Sequence, residues 1–68
     1  MYEVYDVTYR TENGQSSAYV APRTKDGVLE LLRRYLTRER TIRDGTLDIL
    51  AIKDTELLAQ REIVIRQR

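Results

Sequence analysis

Asn13-Gly14 stands between two runs rich in β-branched and aromatic residues, YEVYDVTYR before it and SSAYVAP after it. Asn-Gly is the favoured pair for a two-residue type I′ hairpin turn, in which both central residues need positive φ. The pair therefore predicts two antiparallel strands and their register. In that register Glu12 faces Gln15, and pairing runs back through Arg10–Ser17, Tyr9–Ala18, Thr8–Tyr19 and Val7–Val20. Tyr5, Val7, Tyr9, Ala18 and Val20 then share one face. Val4, Asp6, Thr8, Arg10, Ser17, Tyr19 and Ala21 share the other. One face is apolar and the other mixed, as a half-buried sheet requires.

Pro22 ends the second strand, and Thr24 is placed to cap a helix with Asp26 in its first turn, where the helix dipole favours an acid. Val28, Leu29, Leu31, Leu32, Tyr35 and Leu36 fall on one arc of that helix, with Glu30 and Thr37 opposite. Glu39 would point into the apolar stripe, so the helix is expected to end near Thr37 or Arg38. Asp44-Gly45 signals a turn before a third strand, TLDILAIK. A second turn is expected at Lys53-Asp54-Thr55-Glu56, and EIVIR reads as a fourth strand; Leu57 to Gln60 fits either a strand or a helical turn. The expected fold is α+β, with a ββαββ order: two antiparallel hairpins form a small sheet and one helix packs on one face. Residues 1–68 make a single domain.

That size matters because a domain of 68 residues buries only roughly 60% of its unfolded surface. Small domains are usually reinforced by disulfides, a metal or a partner chain. Cys and His are both absent, which removes disulfides, the commonest metal ligand and the usual near-neutral proton shuttle. Oligomerisation is the reinforcement left. The same absences leave Ser16 and Ser17 without a partner base for nucleophilic catalysis. The carboxylate pairs Asp26/Glu30 and Asp44/Asp48 read as helix-start and turn acids. The glycines stand alone in NG, DG and DG turns, with no phosphate-binding loop among them. The expectation is a protein that is not an enzyme and takes no metal and no small-molecule cofactor.

No apolar run approaches the ~18 residues of a membrane span, and MYEVYDVTYR lacks the basic-then-apolar pattern of a secretory signal. A soluble, cytoplasmic protein is the expectation.

Two surfaces remain as candidate sites. One helix covers one face of a four-stranded sheet, yet Ile49, Leu50, Ala51 and Ile52 are consecutive and must populate both faces. Val4, Tyr19, Leu50, Ile52 and Val64 are therefore expected on the open face, as an interface for a second copy or another protein. The other surface is basic. The chain's net charge is only +1, but Arg33, Arg34, Arg38, Arg40 and Arg43 crowd the helix end, offset by Glu39. With Arg10 and Tyr19 on the outer sheet face, these could neutralise phosphates and stack on bases. Their structural role would be to flank the apolar stripe and suit the helix C-terminus. The first functional reading is a small non-enzymatic protein-interaction module, self-associating or docking through the open face or an edge strand. Accessory or inhibitor proteins of mobile elements share this profile. The alternative is a nucleic-acid-binding or regulatory protein that uses the Arg-rich helix end.

Overall fold

The computed structural model describes residues 1–43 and 45–67. Strands β1 (Tyr2–Thr11) and β2 (Gly14–Ala21) form a hairpin, and a 3-10 turn (Lys25–Gly27) leads into helix α1 (Val28–Arg38). Strands β3 (Leu47–Ala59) and β4 (Ile63–Arg66) follow. The fold is α+β with the expected ββαββ order, one antiparallel four-stranded sheet and one helix. The second hairpin is a correction. In the strand order β3-β1-β2-β4, β3 pairs with β1 and β4 with β2. Each C-terminal strand takes one free edge of the first hairpin, so β1 and β2 both become central. Strand β2 suits that place, because Ala18, Val20 and Ala21 are all fully buried. The link from β3 to β4 must cross three strand spacings, about 14 Å. The four steps from Ala59 to Ile63 reach roughly 13–14 Å when extended, which is enough.

The first hairpin forms with its register moved by two. Glu12 and Asn13 occupy the turn, Thr11 pairs with Gly14, and Val7 faces Ala18. A shift of two keeps every side chain on its face, so Tyr5, Val7, Tyr9, Ala18 and Val20 all enter the core as expected. Gly14 takes a positive φ of 112°, whereas Asn13 does not. The left-handed residue thus follows the turn instead of lying inside it, as when a type I turn precedes a glycine bulge. Asn13 is held by other means. Its Nδ2 donates to the Thr41 carbonyl at 2.6 Å, and its N–H donates to Thr11 Oγ1 at 3.1 Å. Beside it the Arg43 N–H donates to the Glu12 carboxylate at 2.8 Å. These bonds tie the hairpin tip to the segment after the helix.

Helix α1 buries Val28, Leu32 and Leu36, spaced by four, while Leu31 and Tyr35 are half-buried and Leu29 is exposed. Thr24 caps the 3-10 turn rather than the helix and makes no side-chain capping bond. The helix ends at Arg38, as expected. Its last carbonyls are closed by Arg40 N–H to Thr37 O at 3.0 Å and Thr41 N–H to Leu36 O at 2.9 Å. This paired closure requires a left-handed residue between, and Arg40 supplies it with φ 57°. The chain then drops Ile42 into the core. Asp44, half of the expected Asp44-Gly45 turn, lies outside the described residues; Gly45 has φ 80°.

The turn expected at Lys53 to Glu56 does not form, and β3 runs unbroken to Ala59, which makes Leu57 to Ala59 strand. An edge strand tolerates this charged segment because its outer side stays in water. Bulges bend β3 twice, opposite Thr8–Tyr9 and opposite Glu3–Tyr5. In the second, Thr55 Oγ1 donates to the Val4 carbonyl at 2.7 Å and accepts from the Leu57 N–H at 3.1 Å. The hydroxyl thereby replaces the ladder bonds that the extra residues interrupt.

Candidate functional site

Strand pairing sorts the five expected interface residues. Ile52 faces Val7, and Val64 faces Val20. Both therefore lie on the helix side and pack against the core, which corrects their assignment to the open face. The cause for Ile52 is the bulge at Leu50, which lets Ile49 and Ile52 reach the same face although they are three apart. For Val64 it is the register of β4 on β2. Tyr19 does lie on the face away from the helix, half-buried, between Asp6 and Ile65. Val4 shares that side but is only 8% exposed. Leu50 is 41% exposed at the opposite edge.

Ile63 and Ile65 join the open face without any local mark in the sequence. They face Ala21 and Tyr19 on the outer side, and Ile65 is 53% exposed. The β2–β4 half of the open face thus carries an apolar patch of Tyr19, Ile63 and Ile65, with Ala21 on the same side but fully buried. Its β1 half is polar, with Asp6, Thr8 and Arg10 on the surface. Gln67 Nε2 donates to Asp6 Oδ1 at 2.8 Å across β2.

The arginines separate into three groups. Arg10 lies on the outer face with Asp6 and Thr8, roughly 13 Å along the ladder from Tyr19, so the two form no joint stacking platform. Arg40 and Arg43 sit in the segment after the helix, Arg43 beside the hairpin tip. Arg33, Arg34 and Arg38 are exposed on α1, with Arg34 3.8 Å from Glu30 one turn earlier. Such an exposed pair contributes little.

Arg34 and Arg38 have partners the sequence did not reveal. With Leu31, Tyr35, Arg61, Glu62, Ile63 and Val64 they line a groove of about 360 Å³ between α1 and β4. Positions 31, 34, 35 and 38 form one helical stripe next to the buried one. Tyr35 and Val64 continue into a second hollow beside Ile65, Arg66 and Gln67. The carboxylate at this rim, Glu62, is engaged by Arg23 at 3.2 Å. Arg66 Nη1 reaches Thr41 Oγ1 at 3.4 Å.

Elsewhere, the Tyr5 hydroxyl donates to Glu3 Oε2 at 2.8 Å, and the Lys25 ammonium lies 5.6 Å from the Tyr5 ring centre. That hydrogen bond, with burial and the charges of Glu3 and Asp54, raises the Tyr5 phenol above its ordinary pKa. Among the described residues no group of His, Cys, Asp and Glu is arranged to hold a metal ion, and no helix is long and apolar enough to cross a membrane. No protein-family model matches the chain, nor does any curated protein or solved structure.

Proposed function

We propose that this chain is a small non-enzymatic protein-interaction module that self-associates through the β2–β4 half of its open sheet face. The observation that carries the reading is the pairing of Tyr19 with Ile65 on the side away from the helix, with Ile65 53% exposed. A domain this small gains stability by covering such a patch. An isologous two-fold contact is the commonest closed solution for identical chains. Tyr19 and Ile65 would lie near its centre, with Ile63 beside them and Leu50 outside.

Light scattering across a dilution series tests this on the wild type, Ile65→Gln and Leu50→Gln. The expected result is a wild-type dimer that dissociates on dilution, a folded Ile65→Gln monomer, and little change for Leu50→Gln. A folded wild-type monomer at the highest concentration would refute self-association. Nucleic-acid binding, the alternative, has less geometric support, because Arg10 and Tyr19 lie too far apart along the ladder to form one stacking platform. Its signature would be affinity for arbitrary DNA or RNA that falls steeply with salt.

A further inference from the structure

The groove between α1 and β4 combines features that self-association leaves unused. The first is an open strand edge. Gln67 N–H donates to Ser17 O at 2.9 Å, which fixes the phase of the β2–β4 ladder. Hydrogen-bonded and non-hydrogen-bonded pairs alternate in an antiparallel ladder, so Tyr19/Ile65 and Ala21/Ile63 exchange the bonds. The backbone N–H and C=O groups of Val64 and Arg66 then point away from β2, toward the free edge. The second feature is an apolar floor of Leu31, Tyr35 and Val64. The third is charge: Arg34, Arg38 and Arg61 line the groove and Arg66 its continuation, while the Glu62 carboxylate is engaged by Arg23.

From this arrangement we infer that the α1–β4 groove binds an extended acidic peptide, which adds to the β4 edge as an antiparallel fifth strand. The inference rests on the reading of the chain as an interaction module and names a second surface with a partner of defined chemistry. Strand addition draws affinity from main-chain bonds and specificity from alternate side chains. Residues of the incoming strand opposite Val64 and Arg66 share their face, toward the helix; glutamates there lay their methylenes on the floor of Leu31, Tyr35 and Val64 and bring their carboxylates to Arg34 and Arg38. The residues between them turn to the other face, beside Ile65, and are apolar. A second copy of β4 is disfavoured as occupant, since its helix-side residues would be Glu62, Val64 and Arg66, and the one carboxylate among them is already engaged by Arg23. A nucleic acid could answer the arginines but would leave the edge amides and the apolar floor without a partner.

The test uses the full chain and a fluorescent alternating Glu-Val peptide, followed by anisotropy. A Lys-Val peptide and a thymidine oligonucleotide serve as comparisons. The Glu-Val peptide is expected to saturate at one per chain and to slow hydrogen exchange of the Val64 and Arg66 amides. Arg34→Gln with Arg38→Gln, both on the exposed helix surface, should weaken it at least about tenfold. N-methylation of the peptide's glutamate amides should abolish binding, whereas N-methylation of its valine amides should not, because only the former face β4. Absence of saturable binding, indifference to which amides are methylated, or tighter binding of the oligonucleotide through the same arginines would overturn the inference. A dimer that persists in light scattering while the peptide fails to bind would refute this site and leave self-association standing.

Discussion

Arg40 offers a measurement of what the helix closure costs. The two bonds that end α1 require a left-handed residue, and Arg40 holds φ 57° where glycine is usual. A side chain in that conformation costs about 1–2 kcal/mol. Glycine avoids the cost but gives up about 0.4–1 kcal/mol through its freer unfolded chain. Arg40→Gly alone would also lose the favourable contact of a cation with the helix C-terminus, about 0.3–1 kcal/mol. Arg40→Ala loses the same contact and keeps the backbone cost, so the two variants compared with each other isolate the backbone. Glycine should exceed alanine by about 0.5–1 kcal/mol, or about 2–8 °C in Tm for a domain of this size. Urea unfolding read by far-UV circular dichroism measures this, with equal m-values as the condition for comparison. If the glycine variant is no more stable than the alanine variant, the left-handed closure at Arg40 is wrong.

Gly14→Val should destabilise by about 1–3 kcal/mol, since φ 112° lies where a β-branched residue is strained; Asn13→Ala should cost less, and unchanged stability in both variants would refute the turn. Tyr9→Phe should be neutral or stabilising by up to about 1 kcal/mol, because the buried Tyr9 hydroxyl has no hydrogen-bond partner among the described residues; a clear loss in urea would show that the hydroxyl is bonded. Tyr5 has a folded pKa raised above 10.0. Its contribution is therefore full below that pH and lost as pH rises through the folded value. Tyr5→Phe should lower stability near pH 7 by removing the bond to Glu3, yet flatten the alkaline fall of unfolding free energy relative to wild type.

The faces of the hairpin were readable from the sequence because a period of two survives an even slip in register, even though the turn itself lies one residue before Asn13-Gly14. Helix α1 was readable for the same kind of reason: Val28, Leu32 and Leu36 recur with its period. Pairing between distant segments leaves no such local mark. Whether β3 and β4 pair with each other or with the hairpin is decided by which strands gain burial, and Ala18, Val20 and Ala21 reveal that only once packed. The run Ile49-Leu50-Ala51-Ile52 hides a bulge, and a strict period of two therefore assigns Ile52 to the wrong face. The candidate groove was half readable. Arg34 and Arg38 stood out as part of a charge cluster, but Arg61 and Arg66 join them only because β4 lies on β2.

The strand order also bears on the birth of the chain. During synthesis the β1–β2 hairpin emerges first, and neither of its edges can be covered until β3 and β4 have been made. At roughly 5–20 residues per second, several seconds separate the end of β2 from the end of β4. Until β3 is made the hairpin carries two unpaired edges and an apolar face, and until β4 is made the β2 edge stays open, the state most prone to pairing with the wrong chain. The final ladder joins Tyr2 to Ala59, nearly the full length of the chain, and contacts so distant in sequence make for slow folding. Loss of β4 would leave the β2 edge permanently uncovered, so a chain without residues 63–66 should be a substrate for chaperones or proteases rather than a smaller working protein.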